Sequence, residues 1–246
     1  GLTPDVVTYS AAVSACEKGR RWELTRVLMK RAKGAGLSLD VVFYSALMSA
    51  CEKGQESERA LALLEELQRE RLEPDVFAFN AAISACEKRR QPEKAWALLR
   101  EMQHREIDPN VMSFNAVISA CANVGQWQPA LLLLSELEVK LLAPSVITYN
   151  ALLSACDKGR NWRWAIELYE QMGKMRLETD STTHNAVLGA CEKGRCWAQV
   201  LELLRGMHGA DITAYELAVR ACEVGLQRQH LPELLSVGPQ QVGLTA

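Results

Sequence analysis

The chain lacks an apolar run long enough to span a membrane as a helix, for which about 20 residues are needed. It shows no signal or transit segment at its first residues. It also lacks an excess of charge of either sign. Lys and Arg total 28, Asp and Glu total 30, and the formal net charge is −2. That argues against attachment to nucleic acid mainly through bulk positive charge, but not against a local basic track. Catalytic and cofactor signatures are missing too. No His-x-Glu accompanies a Cys-x-x-Cys, no acidic cluster is spaced to hold a metal, and no glycine-rich loop is built to cradle phosphate. Cys191 and Cys196 lie five apart with no histidine pair or second cysteine pair to complete a zinc site. The expectation is a non-catalytic segment with no cofactor, no metal and no small-molecule substrate.

What is present is a period. Cysteines recur at 16, 51, 86, 121, 156 and 191, each 35 residues after the last. A fixed period of that size marks a stack of short copies of one unit. One cysteine per copy has no disulfide partner within its own repeat. In the Ser-Ala-Cys context it reads as a small buried hydrophobe in a reducing compartment. The units run 6–40, 41–75, 76–110, 111–145 and 146–180, followed by a shortened 181–211 and a partial 212–235. Thr3-Pro4-Asp5 matches the repeat ends Glu73-Pro74-Asp75 and Asp108-Pro109-Asn110, so residues 1–5 read as the end of a preceding repeat in a longer protein. Residues 236–246 read as a disordered tail.

Each unit predicts a helical hairpin. In the third, Phe79, Ala82, Ile83 and Cys86 share one helix face, and Ala95, Leu98, Leu99 and Met102 share a face of a second helix. Pro92 stands where that second helix should start. Gly19, Gly54, Gly125, Gly159 and Gly194 fall at or near the turn, where a left-handed residue can end the first helix. Trp22, Trp127, Trp162 and Trp197 recur at the start of the second helix and read as packing at the turn. His184, where other units carry Tyr or Phe, reads as a packed ring and not a ligand. Pro232 falls inside the expected last second helix and should delay or break it. A single hairpin buries too little to be stable, so the fold class is all-α, a superhelix of stacked hairpins.

The first helices carry a second, unusual stripe beside the core face. No charged residue occurs in the first eleven positions of any of the six units, whereas second helices carry runs such as Glu65-Glu66 with Arg69-Glu70. Position 5 is Ser10, Ser45, Asn80, Asn115, Asn150 and Asn185, and position 2 is mostly apolar. A lysine ends most first helices. A neutral hydrogen-bonding lane with apolar flanks suits flat, polar-edged bases, and spaced lysines suit phosphates. Two bland readings stand beside these. Asp40, Asp75, Asn110 and Ser145 also qualify as helix N-caps, and the lysines also suit a helix C-terminus.

The period of 35, with Val146-Ile147-Thr148-Tyr149-Asn150-Ala151-Leu152-Leu153 opening a unit and Leu72-Glu73-Pro74-Asp75 closing one, resembles the pentatricopeptide repeat family over about residues 3–225. That resemblance implies a right-handed α-solenoid that binds single-stranded RNA, one base per repeat, in an organelle, mitochondrion or chloroplast. It implies base reading by positions 5 and 35 together: Ser10 with Asp40, Ser45 with Asp75, Asn80 with Asn110, Asn115 with Ser145, Asn150 with Asp180 and, in the short unit, Asn185 with Asp211. Val7, Val42, Phe77, Met112, Ile147 and Thr182 would sandwich bases. Lys18, Lys53, Lys88, Lys158 and Lys193 would meet phosphates; the fourth unit has Asn123 instead. Glu17, Glu52, Glu87 and Glu192 beside them would blunt the field, giving modest, salt-dependent affinity. The family's pairing preferences then imply 5′-GG(C/U)CUU-3′. The alternatives are a protein-binding scaffold on the same surface, with protein partners, and an enzyme whose catalytic domain lies outside these residues.

Overall fold

The computed structural model describes residues 4–19, 21–207 and 211–225. The expected break at Pro232 and the tail 236–246 lie outside the described residues. Chain contacts divide the molecule into two compact units, Gly1–Ala120 and Cys121–Ala246. Every regular element among the described residues is an α-helix. The first unit holds α1 (Val6–Lys18), α2 (Trp22–Gly34), α3 (Val41–Lys53), α4 (Ser57–Arg69), α5 (Val76–Lys88) and α6 (Pro92–His104), and α7 (Val111–Val124) begins in it. The second holds α8 (Trp127–Val139), α9 (Val146–Lys158), α10 (Trp162–Lys174), α11 (Ser181–Lys193), α12 (Trp197–Gly206) and α13 (Ile212–Val224). Within the first unit α1 packs on α2 and α3, and α3 on α4 and α5; within the second α9 packs on α10 and α11, and α11 on α12 and α13. Each unit is therefore a stack of antiparallel hairpins, the helical-repeat solenoid architecture.

Local chemistry fixes where each helix begins. Asp5, Asp40, Asp75, Asp180 and Asp211 stand in extended backbone just ahead of α1, α3, α5, α11 and α13. Their carboxylates accept the backbone N–H three residues on, at 2.8–2.9 Å. Asn110 does the same for Ser113 at 3.1 Å, and Ser145 forms a capping box with Thr148. These contacts satisfy donors that a helix start leaves without partners.

The expected left-handed residue does end the first helix, but glycine supplies it only at Gly125 among the five glycines named. The left-handed residue that ends the first helix is at position 15: Gln55, Arg90, Arg160 and Arg195 have φ between 55° and 59°, and Gly125 has 76°. Gly54, Gly159 and Gly194, one residue earlier, have negative φ near −80°. They are needed for space. A Cβ on Gly54, Gly159, Gly194 or Gly225 would lie 2.3–2.6 Å from the indole of Trp22, Trp127, Trp162 or Trp197 of the preceding repeat. Where the preceding repeat carries Ser57 instead of Trp, the matching residue is Arg89 and not glycine. The tryptophans thus pack at the turn as expected, but on the neighbouring repeat's turn, where only a hydrogen leaves room.

The cysteine period marks the same turn. The carbonyls of Cys16, Cys51, Cys86, Cys121, Cys156 and Cys191 each accept the N–H five residues on, at 2.9–3.0 Å. In the second repeat Gln55 N–H also meets the Glu52 carbonyl at 3.1 Å, which completes a Schellman motif. All eight cysteines are free thiols. Burial pushes Cys51 and Cys86 up to about 11 and Cys156 and Cys191 up to about 12, so these sulfurs stay protonated. The buried face is wider than the stripe of positions 4, 7, 8 and 11. In α3 it also takes in Phe43 and Ala50, because a first helix packs on its own partner and on the next first helix.

Gly194→Ala should destabilise the chain by about 1–3 kcal/mol, the cost of forcing a group into a filled core, because the Trp162 ring blocks its Cβ. Gly173→Ala, inside α10 with open space around it, should stabilise by about 0.5–1 kcal/mol. Urea titrations of the two variants check this; equal effects would refute the packing role.

Candidate nucleic-acid interface

The apolar residues at position 2 stay in water. Val7, Val42, Phe77 and Met112 in the first unit, and Ile147 in the second, are 67–76% exposed, and Thr182 is exposed as well. Single surface hydrophobics are ordinary. One at the same point of successive repeats is a patterned feature, and such rows mark contact surfaces.

Beside them lie the residues at position 5, all half-buried. Four of the six expected pairs close within the units. Ser45 Oγ lies 3.4 Å from Asp75 Oδ1, Asn80 Nδ2 3.4 Å from Asn110 Oδ1, Asn150 Nδ2 3.4 Å from Asp180 Oδ1, and Asn185 Nδ2 3.1 Å from Asp211 Oδ2. At 3.4 Å the contact is near the limit of a hydrogen bond, so it only partly satisfies either group. Ser10 and Asp40 do not join: the Ser10 hydroxyl donates back to the Val6 carbonyl at 2.9 Å, and Asp40 caps α3. Asn115 sits half-buried on α7, and Ser145 caps α9. The capping reading and the pairing therefore coexist, because a capping carboxylate uses one oxygen on the backbone and keeps acceptor capacity for its neighbour. At Asp180 the backbone N–H of Thr183, then its hydroxyl, hold the carboxyl below its ordinary range despite some burial, so it is charged near neutral pH.

A contact that sequence reasoning missed holds the asparagines from the other side. Ser113 Oγ donates to Asn80 Oδ1 at 2.6 Å, and Thr183 Oγ1 to Asn150 Oδ1 at 2.7 Å. Both hydroxyls come from position 3 of the next repeat. Asn185 has no such donor, because the matching residue is Ala214, and its Oδ1 is buried without a partner. An orphan of this kind costs about 1–3 kcal/mol. The legible signal was the variation of position 3 in step with position 5.

The lysines also differ from a simple basic track. Lys53 pairs with Glu17 and Lys88 with Glu52 at 2.8 Å, and Lys193 with Asp157 at 2.7 Å. Each acid comes from the preceding repeat, 36 residues back, and not from the glutamate beside the lysine. Burial works to raise the Glu17 carboxyl, but the bonds from Lys53 and Ser49 outweigh it and leave it lowered. Gly189 replaces the usual serine at position 9, and a Cβ there would stand 2.7 Å from Asp157 Oδ1. Lys158 is exposed with no ion pair among the described residues, because the fourth repeat has Ala122 where others have an acid. Lys18, in the first described repeat, likewise carries no ion pair among the described residues.

His184 is buried, edge-on to Tyr169 at 6.1 Å, with Nε2 3.1 Å from Thr179 Oγ1 and Nδ1 buried without a partner. Burial lowers its pKa, and the charges of Asp180 and Asp211 oppose that only in part. The folded state favours the neutral ring. Its stabilising share is therefore present above the ordinary value of about 6.5 and lost as pH falls through the lowered folded value.

The family model for the pentatricopeptide repeat domain matches residues 26–89 and 97–159, and models of the repeat itself match 144–193 and 77–107. No curated protein matches the chain. Among solved structures, the pentatricopeptide repeat protein PPR10 in complex with an 18-nt psaJ RNA element is 25% identical with a TM-score of 0.72, over 99% of this chain and 34% of that one. PPR10 from maize is 17% identical with a TM-score of 0.62, over 96% of this chain and 39% of that one. The PPR domain of Arabidopsis thaliana protein-only RNase P 1 in complex with tRNA is 15% identical with a TM-score of 0.64, over 73% of this chain and 95% of that one. The last two show likeness of fold alone. The chain spans about a third of the length of PPR10.

His184→Phe should gain more stability over the wild type at about pH 5 than at about pH 8. Thermal melts at the two pH values test this; an equal gain at both would mean the ring does not titrate on unfolding.

Proposed function

Because the chain belongs to the pentatricopeptide repeat family, we propose that it binds single-stranded RNA in a sequence-selective way, one base per repeat, without catalysis of its own. The observation that carries this reading is the recurring pair of positions 5 and 35. Its position-5 member lies on a helix face without charged side chains, beside a row of exposed apolar side chains at position 2, and its position-35 member is a carboxylate in three of the four closed pairs. Half-satisfied amides, hydroxyls and carboxylates are suited to the edges of unpaired bases, and the apolar row to their faces. That PPR10 is solved in complex with an 18-nt RNA element supports RNA as the ligand.

The proposed core target is 5′-GG(C/U)CUU-3′, with guanine at the two Ser–Asp repeats, cytosine where Asn meets Asn or Ser, and uracil at the Asn–Asp repeats. Base sandwiching falls to the position-2 row and backbone contact to the lysines. Lys53, Lys88 and Lys193 are already paired with acids, so among these five lysines Lys18 and Lys158 are the ones that bring unpaired positive charge. Binding by occupancy follows: the chain masks a site, or holds a strand unpaired, so that processing, stability or translation of an organellar transcript changes. The neutralised lysines favour one second reading, a protein-binding scaffold on the same lane. Partners that survive nuclease treatment, with no RNA crosslinks, would support it.

Two measurements test the main reading. RNA carrying GGCCUU should bind better than its scrambled version, and Asn150→Ser should move the fifth-base preference from uracil toward guanine; equal binding, or no shift, would sink the base assignments. Lys158→Gln should reduce the slope of log affinity against log salt by about 0.7, the value for one phosphate contact on a single strand. An unchanged slope would take Lys158 off the backbone.

A further inference from the structure

Ser113 and Thr183 do more than begin a helix. The backbone N–H of Asn110 donates to Ser113 Oγ at 3.2 Å, and that of Asp180 to Thr183 Oγ1 at 3.3 Å. Each hydroxyl is left with a single proton to give. It faces the amide oxygen of the preceding repeat's asparagine at 2.6 Å and 2.7 Å, and the cap oxygens of Asn110 and Asp180 at 3.2 Å and 2.8 Å. At Asn150 the other side of the amide meets the Asp180 carboxylate, which accepts only an N–H. The carbonyl must then turn to the hydroxyl. The amide is clamped between an acceptor and a donor, and one N–H is left without a partner among the described residues.

The sequence varies in step with this clamp. Position-5 serines, Ser10 and Ser45, are followed at position 3 of the next repeat by Phe43 and Ala78, which have no hydroxyl. The asparagines Asn80, Asn115 and Asn150 are followed by Ser113, Thr148 and Thr183. The exception is Asn185, followed by Ala214, and there the amide oxygen is buried without a partner.

We propose that the position-3 hydroxyl of the following repeat is a positioning residue for base selection: it locks the position-5 asparagine with an N–H toward the lane. This rests on the RNA reading above. A locked donor selects an acceptor, such as the O2 carbonyl shared by cytosine and uracil. Without the hydroxyl the amide is held from its nitrogen side alone, as Asn185 is by Asp211 at 3.1 Å, and that weaker hold relaxes selection. The third and fifth repeats are then readers held from both sides, and the sixth is held from one side only.

Thr183→Val keeps the shape of the side chain and removes its hydroxyl; Thr183→Ser restores it; Ala214→Ser adds one where it is missing. Binding is measured to RNAs that differ only at the fifth or the sixth base. Thr183→Val should lose about three- to tenfold of the pyrimidine preference at the fifth base, the worth of one hydrogen bond, with the other bases read as before. Thr183→Ser should recover it, and Ala214→Ser should sharpen the sixth base. In the free protein, the Asn150 side-chain amide protons should exchange faster in Thr183→Val, an NMR readout independent of RNA. Unchanged fifth-base preference in Thr183→Val, or no sharpening by Ala214→Ser, overturns the proposal while RNA reading stands. A wild-type protein without preference at any base refutes the RNA reading, and the selection role falls with it.

Discussion

One side-chain oxygen ahead of each first helix organises the repeat. At Asp75, Asn110 and Asp180 it accepts a backbone N–H and starts the helix, while the same side chain faces position 5 of the preceding repeat. Capping fixes the side chain to within hydrogen-bond tolerance, because the helix start leaves it one geometry. The neighbouring Ser or Asn thereby gains a partner whose position is set by backbone and not by a flexible side chain. A recognition residue held this way loses little entropy on binding. Capping at this position is therefore compatible with the recognition role proposed above, because it presets the geometry that role requires.

Much of this was legible in the sequence, because a repeat multiplies each signal. The cysteine spacing, the apolar faces and the Pro-Asp ends each occur several times in register, and together they specify hairpins. The helices begin at Val41, Val76 and Val146, directly after Asp40, Asp75 and Ser145, where the caps put them. What stayed hidden were contacts between copies. Gly54 and Gly194 looked like turn glycines, but their backbone is of ordinary negative φ, and their need is space for Trp22 and Trp162 of the copy before. Glu17 looked like a neighbour of Lys18, but its bond is to Lys53. Pattern along one helix reveals what a residue does in its own unit. It is silent on what stands 32 or 36 residues away until the stacking is known.

The charge ladder illustrates how such contacts alter function. A lysine at the end of each first helix reads as a phosphate track, yet a lysine already paired brings little net positive charge to a strand. Pairing an acid with the next repeat's lysine couples adjacent hairpins at partly exposed sites, where each pair contributes up to about 1 kcal/mol. The fourth repeat lacks both members, Ala122 for the acid and Asn123 for the lysine. That double change removes no net charge from the repeat, but it leaves Lys158 without the acid its counterparts have. A weakening in the sequence pattern at one repeat thus becomes a free cation at the next.

The sixth repeat shows the same logic working against order. It is four residues shorter than its neighbours, α12 ends after ten residues, His184 carries a buried nitrogen without a partner, and Asn185 a buried oxygen without one. Two unsatisfied polar atoms in adjacent residues cost stability that the packing of Val187, Leu188 and Cys191 must offset. The Asn185 amide is nonetheless held from its nitrogen side, where Nδ2 donates to Asp211 Oδ2 at 3.1 Å. The oxygen is closed off from solvent, so a change within the chain, such as a hydroxyl at position 214, is what would relieve the cost. The shortened repeat thus carries a polar cost that the third and fifth repeats avoid, because Ser113 and Thr183 donate to the matching amide oxygens there.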